Sequence, residues 1–274
     1  MTPRRLLAPS FTKQEIVGQA EEMTKEFYRS FWGPEFDTKL IGINFDVVFE
    51  NLIYPKYEIA LVEDQDLGFD EGGEKIFGKF DVEENTAYID VSLRPELKDP
   101  RRIFTCWHEV GGHAILQGDW LRQMLQTHRQ REVVTTESML TPYTVKVLER
   151  QANLFASRAA APDWLLGLAI LDVFDPYRPV HYTGPGRYSF NVYGQNRYRD
   201  VESFNDLCQV IAYYIRHRFG GLSVEALGYR VAETSFVLGP QRKPFELKRT
   251  ARVPSPVMPA QLFGPSIPVM SYAQ

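Results

Sequence analysis

The chain has 274 residues, 44% of them hydrophobic and 13% aromatic, with 31 basic against 35 acidic side chains and a formal charge of −4. That is enough length and apolar content for a sizeable core in one or two domains. The mild acidity excludes a global field that recruits nucleic acid or an anionic membrane. No apolar run reaches the roughly 18 residues of a spanning helix, and the short run before Pro9 is far from a signal-peptide core. Cys106 and Cys208 sit in segments that read as buried helix, the usage of reduced thiols. A cytoplasmic protein is expected.

From Thr12 to Phe31, Ile16, Ala20, Met23, Phe27 and Phe31 recur at helical spacing, and Thr12 with Glu15 forms a capping box. Ile41–Glu50 alternates and is rich in β-formers, so it reads as a strand, as does Tyr57–Val62. The acidic, Gly-rich stretch Asp64–Glu74 suits a surface loop. Lys75–Asp81 and Thr86–Leu93 flank the polar turn Glu83-Glu84-Asn85 as a hairpin.

Asp99-Pro100 is a helix start, with Gly118 placed to end that helix. Thr141-Pro142 repeats the signal, and Val145, Leu148, Ala152, Phe155 and Ala159 form an apolar stripe that stops before Pro162. Residues 175–200 carry five tyrosines among Pro, Gly, Asn and Arg and read as a long loop or irregular hairpin. Helical patterning returns over Val201–Phe219 and, after the capping Ser223, over Val224–Thr234. Seven prolines in the last 36 residues point to an extended or disordered tail over 239–274, leaving 1–238 as one domain.

The chemistry concentrates in Trp107-His108-Glu109-Val110-Gly111-Gly112-His113. Zinc hydrolases take two imidazoles from one helix face and a distant third ligand, with a carboxylate beside the first histidine to move a proton. Four-residue spacing puts two such rings about 40° apart on an α-helix; the five-residue spacing here puts them about 140° apart. Shared coordination therefore requires a π-bulge between Val110 and His113, where Gly111-Gly112 give backbone freedom.

Glu149 borders the apolar stripe of its helix, and a carboxylate pointing near a core needs a cation or hydrogen bonds. It is the best third ligand, ahead of Asp119, Glu132 and Glu137. Asn153, one turn on, is a candidate to orient a ligand. Cys106 falls on another helix face and reads as a small core residue. The tyrosines and His181 of the 175–200 segment are candidates for stabilising an oxyanion.

The pattern His-Glu-x-x-Gly-His is similar to the zinc motif of dipeptidyl-peptidase III. More of the chain resembles the ImmA/IrrE family of metallo-endopeptidases. Ile103-Phe104-Thr105-Cys106-Trp107-His108-Glu109 matches its Arg-Phe-Thr-x-x-His-Glu lead-in, with Ile103 in place of arginine. Glu149-Arg150-Gln151-Ala152-Asn153-Leu154-Phe155-Ala156 resembles its Glu-x-x-Ala-Asn-x-Phe-Ala segment, and the hairpin before the helix and Gly221–Arg230 are similar too.

The resemblance implies an α+β, zincin-like fold with a small antiparallel sheet packed on the active-site helix and a mainly helical C-terminal half. It further implies one Zn2+ per chain on His108, His113 and Glu149, and Glu109 as the base. Family members often inactivate a repressor, so the expected activity is hydrolysis of peptide bonds in a protein substrate of that kind, with no direct nucleic-acid or membrane partner. The other readings are a catalytically impaired zinc-binding sensor and, more weakly, a DNA-associated regulator built on the Val201–Thr234 helices.

Overall fold

Residues 8–34, 42–70, 72–129, 140–174, 180–234 and 236–239 are described by a computed structural model. They form an α+β arrangement dominated by helices, with three small sheets. Lys13–Trp32 (α1) starts at the expected capping box, in which Thr12 Oγ1 accepts from the Glu15 N–H and Glu15 answers on the Thr12 N–H. Its buried face includes Ile16, Ala20, Met23 and Phe27, as the spacing predicts, whereas Phe31 in the last turn is 49% exposed, and it packs on the helix that carries Glu149.

The segment read as a strand over 41–50 is a helix from Phe45 on. Phe45–Val48, the π-helical Phe49–Ile53 and Tyr54–Tyr57 run on continuously as α2. Asn44 Oδ1 caps it by accepting from the Asp46 N–H at 2.9 Å. Buried Phe45, Val48, Phe49, Leu52 and Ile53 recur at three- and four-residue intervals, so the helical period outweighs the β-branched content. Helix α2 reaches Tyr57 and turns at Glu58, with φ 52°, so the first strand begins late, at Ala60.

Ala60–Gln65 (β1), Gly78–Asp81 (β2) and Thr86–Asp90 (β3) make one sheet in the order β1-β3-β2. The β2–β3 hairpin is present as expected, but the sheet is mixed rather than antiparallel. After β1 the chain crosses to the far side of β3 before pairing, which leaves β1 parallel to β3. The central strand is β3, with Ala87 and Ile89 fully buried, and the outer strand at the far edge is β2.

Arg101–Cys106 continues without interruption into the π-helical Trp107–Leu116; together they are α3. Its N-cap position is Pro100, and just before it Asp99 Oδ1 accepts from the Arg101 N–H at 2.8 Å. Arg102, 5% exposed, ties α3 to its surroundings by pairing with both Asp46 of α2 and Glu63 of β1. Helix α3 stops at Gln117, and Gly118, expected as a terminator, instead opens Gly118–Arg129 (α4).

Pro142–Ala160 (α5) begins at Thr141, whose Oγ1 accepts from the Thr144 N–H, and ends before Pro162 as read from sequence. Leu148, Ala152, Phe155 and Ala159 are buried, but Val145 is 41% exposed, because the first turns of α5 bury the Thr144–Leu148 side instead. Asp163–Val173 (α6) has no counterpart among the expected elements; it is apolar nearly all round and lacks a readable stripe.

Val180–His181 (β4) pairs with Val237–Leu238 (β7). Within the Tyr-rich segment, Gly186–Val192 (β5) and Gln195–Val201 (β6) form an antiparallel hairpin, the second of the two expected forms, in regular rather than irregular register. Its turn is Tyr193-Gly194, both at positive φ, the geometry that matches strand twist. Phe204–Ile215 (α7) and Val224–Glu233 (α8, capped by Ser223) complete the helical half. Residues 175–179 of the Tyr-rich segment and 240–274 of the Pro-rich tail lie outside the described residues. Among the described residues no single helix is long and apolar enough to cross a membrane.

Candidate metal centre

Ten residues of α3, Trp107–Leu116, carry π-helical hydrogen bonding, a longer distortion than the single bulge expected. An i→i+5 turn returns to the same face after five residues, so His108 and His113 lie side by side. Their ring centroids are 4.7 Å apart and their Nε2 atoms 3.0 Å apart.

The two glycines have a different role from the one their flexibility suggests. A Cβ on Gly111 would lie 2.4 Å from Phe155 Cε1, and one on Gly112 would lie 2.5 Å from Ala152 Cα. Ordinary carbon contacts are about 3.5–4.0 Å. The missing side chains therefore let α5 press onto α3, and that approach delivers Glu149. Its Oε2 is 3.2 Å from His108 Nε2 and its Oε1 is 3.4 Å from His113 Nε2.

Each ring is clamped from behind by an amide. His108 Nδ1 donates to Asn153 Oδ1 at 3.1 Å, and His113 Nδ1 donates to Gln117 Oε1 at 2.9 Å. The Gln117 orientation is pinned, because its Nε2 donates to the Leu148 carbonyl at 2.8 Å. A neutral imidazole that donates from Nδ1 carries a lone pair on Nε2. Two nitrogen lone pairs and a carboxylate thus converge on one point, an arrangement that calls for a cation.

His108, His113 and Glu149 are the one group of this kind among the described residues, and they could hold a metal ion. The spacing fits that use. Four ligands about 2.05 Å from a tetrahedral ion have edges of about 3.3 Å, against the observed 3.0, 3.2 and 3.4 Å. Where a ring instead carries a proton on Nε2, its hydrogen bond to Glu149 holds that carboxyl well below its ordinary range. Burial works against charge on His113, yet the Glu149 carboxylate outweighs it and raises that ring's affinity for a proton.

Glu109 lies 6% exposed beside the cluster. Burial pushes its carboxyl above the ordinary range, with His113 and His108 pulling the other way. Strand β2 runs directly over it: a Cβ on Gly78 would sit 2.6 Å from Glu109 Oε1 and 2.7 Å from Thr105 Cγ2. Only a glycine leaves room for both.

The remaining sequence candidates fall elsewhere. Asp119 is fully exposed and pairs with Arg122 at 2.8 Å; Glu132 and Glu137 lie outside the described residues. Cys106 is buried, and burial raises its thiol far above the usual value, consistent with a core residue. Tyr188 Oη accepts from the Thr183 N–H and donates to the Gly184 carbonyl, and the Tyr182 ring stacks on it. Among the described residues no hydrogen bond links these tyrosines or His181 to the metal cluster.

Gln117 is a residue of the centre that no sequence motif singles out. Its position one turn beyond His113 is the one sequence signal, and the fold adds that it is a fully buried polar side chain that must be satisfied. A comparison with protein-family models and with curated proteins finds no match to the chain. What the fold and the site define is therefore a class: an α+β protein whose His-His-Glu group is suited to a metal ion.

Proposed function

We propose that the chain is a zinc-dependent metallo-endopeptidase of zincin-like architecture, related to the ImmA/IrrE family and acting on a protein substrate such as a repressor in the cytoplasm. The observation that carries the proposal is the convergence of His108 Nε2, His113 Nε2 and the Glu149 carboxylate at tetrahedral-edge distances, with the buried carboxylate of Glu109 next to them. The donor set of two imidazoles and one carboxylate, with a fourth position left open, is that of catalytic zinc. A zinc ion held there supplies Lewis-acid chemistry, acidifying water and polarising a carbonyl.

The chain's own residues supply the rest. Asn153 and Gln117 fix the tautomer and tilt of the two rings. Glu109 takes a proton from the attacking water at its carboxyl and passes it to the departing amine, a task suited to a carboxyl whose proton affinity burial raises. Strand β2, whose outer edge carries no partner strand among the described residues, passes over Glu109 and offers main-chain groups to an extended peptide. The central β3 has both edges occupied and cannot take that role.

A non-catalytic reading would rest on the extra residue between the histidines, and the π-helical turn absorbs it without parting the rings. A DNA-reading helix is disfavoured, because Arg230 of α8 is buried and ion-paired.

The test is metal analysis joined to a cleavage assay. Purified protein should carry about one equivalent of zinc, His113→Ala should lose it, and Glu109→Gln should keep it while losing cleavage of a co-expressed repressor. Zinc-free protein, or cleavage that persists in Glu109→Gln, overturns the proposal.

A further inference from the structure

Gln151, 7% exposed, is a buried amide on α5, the helix that brings Glu149 to the metal centre. Its oxygen accepts from Gln117 Nε2 at 3.3 Å, and its nitrogen donates to the Pro9 carbonyl at 2.8 Å. Gln117 Oε1 in turn accepts from His113 Nδ1. Three hydrogen bonds in series therefore connect a candidate metal ligand to the segment ahead of α1.

The direction of the series is forced from its far end. A backbone carbonyl can only accept. The Pro9 carbonyl thus turns the Gln151 nitrogen toward itself and the Gln151 oxygen toward Gln117. The Leu148 carbonyl, 2.8 Å from Gln117 Nε2, orients Gln117 in the same sense. Both amide hydrogens of Gln117 then have an acceptor, and its oxygen is left for His113. Released from Pro9 and turned over, Gln151 would set its own amide hydrogens against those of Gln117. Bonds aligned head to tail in a buried setting also polarise one another.

The segment is built to present that carbonyl. The ring of Pro9 fixes its φ, which lowers the entropy lost in holding it still. Two residues on, Phe11 packs against the main core, and Thr12 caps α1, which packs on α5. Pro9 and Gln151 lie 142 residues apart in sequence, so the bond forms only when the segment is docked on the finished fold.

We propose that Gln151 is a positioning residue through which residues 8–12 and the metal centre are coupled: the docked segment strengthens metal binding, and a bound metal holds the segment down. The inference rests on the metal-binding part of the proposed function and adds a means of regulating it, since whatever lifts the segment off α5 loosens the metal. Linkage makes the two effects equal in size.

The experiment uses the full chain, with Zn2+ affinity read by chelator competition. Gln151→Met keeps the side-chain length but removes both bonds, and should weaken zinc binding about 5–10-fold, the low end of couplings between sites. Phe11→Ala loosens the segment without touching Gln151 and should weaken zinc binding several-fold. The double variant should lose no more than Gln151→Met alone, because both changes break one path. Losses that simply add would mark two unrelated destabilisations and overturn the coupling.

A nitroxide on Ser10→Cys reads the reverse effect in an otherwise unaltered chain. Ser10 is exposed, whereas the native Cys106 and Cys208 are buried. The label should be less mobile with Zn2+ than without it. Where Gln151→Met does not fold, the labelled chain decides by itself. A parent that binds zinc, with an unchanged Kd in Gln151→Met or a label indifferent to Zn2+, overturns the coupling and leaves the proposed function standing. A parent that binds no zinc overturns the metal centre and the coupling with it.

Discussion

Replacing Gly112 with alanine tests whether the close approach of α5 to α3 builds the metal centre. By intrinsic propensity alone, alanine in a helix interior gains about 1 kcal/mol over glycine. At Gly112 the new Cβ would sit 2.5 Å from both Cα and Cβ of Ala152, a backbone atom and the carbon fixed directly to it, neither of which can swing aside. Restoring contact at about 3.5–4.0 Å requires the helices to part locally by about 1 Å or more. Overpacking of this kind costs about 1–3 kcal/mol, and metal sites tolerate ligand shifts of only about 0.2 Å.

Expected for Gly112→Ala are a Tm lowered by roughly 3–10 °C and zinc affinity reduced by at least about tenfold, read by thermal melts and chelator competition. Gly167→Ala is the matched control. Gly167 lies inside α6 with nothing within 4 Å of the added methyl, so the same exchange should stabilise by about 0.5–1 kcal/mol. If Gly112→Ala is as stable and binds zinc as tightly as the parent, the packing argument is wrong.

Gln117→Leu removes the partner of His113 Nδ1 and should weaken zinc binding by about 10–100-fold, seen by chelator competition, with the fold retained by circular dichroism. Gly78→Val drives a side chain into Glu109 and should abolish peptide cleavage while zinc content stays near one equivalent; full activity would remove β2 from the site.

Asp90 is fully buried, and although burial opposes its charge, hydrogen bonds from Ser92, the Leu67 N–H and Lys75 hold it far below the ordinary carboxylate range. Its stabilisation is thus present above pH ~4 and lost as pH falls below that. Asp90→Asn should cost about 2–3 kcal/mol at pH 7 by denaturant titration, and the gap to the parent should narrow on acidification. A gap independent of pH would refute this account.

The candidate site was more legible in the sequence than the fold around it. His108, His113 and Glu149 announce themselves by residue type, and the start of α5 at Thr141-Pro142 is local chemistry that no distant contact overrides. The five-residue spacing even required a distorted helix. Its extent was not readable, because the π-helical run is sustained by the packing of Phe155 and Ala152 against glycines some 40 residues away in sequence.

The segment from Phe45 misleads for a related reason. Alternation through Ile41, Ile43, Phe45 and Val47 suggested a strand, whereas the buried set that decides the matter continues to Leu52 and Ile53. The mixed sheet was equally out of reach, since a hairpin is a local pairing and β1 beside β3 is not.

The clamps on the two histidines are amides, and this fixes the electrical balance of the centre. Neither Asn153 nor Gln117 adds charge behind the imidazoles. Two neutral rings leave the Glu149 carboxylate as the one charge among the three convergent donors, and burial opposes a second charge on Glu109. Swapping Gln117 for glutamate would add a negative charge behind His113 without moving a ligand, so the charge offered to a cation is a quantity the protein can set through a residue that never touches it.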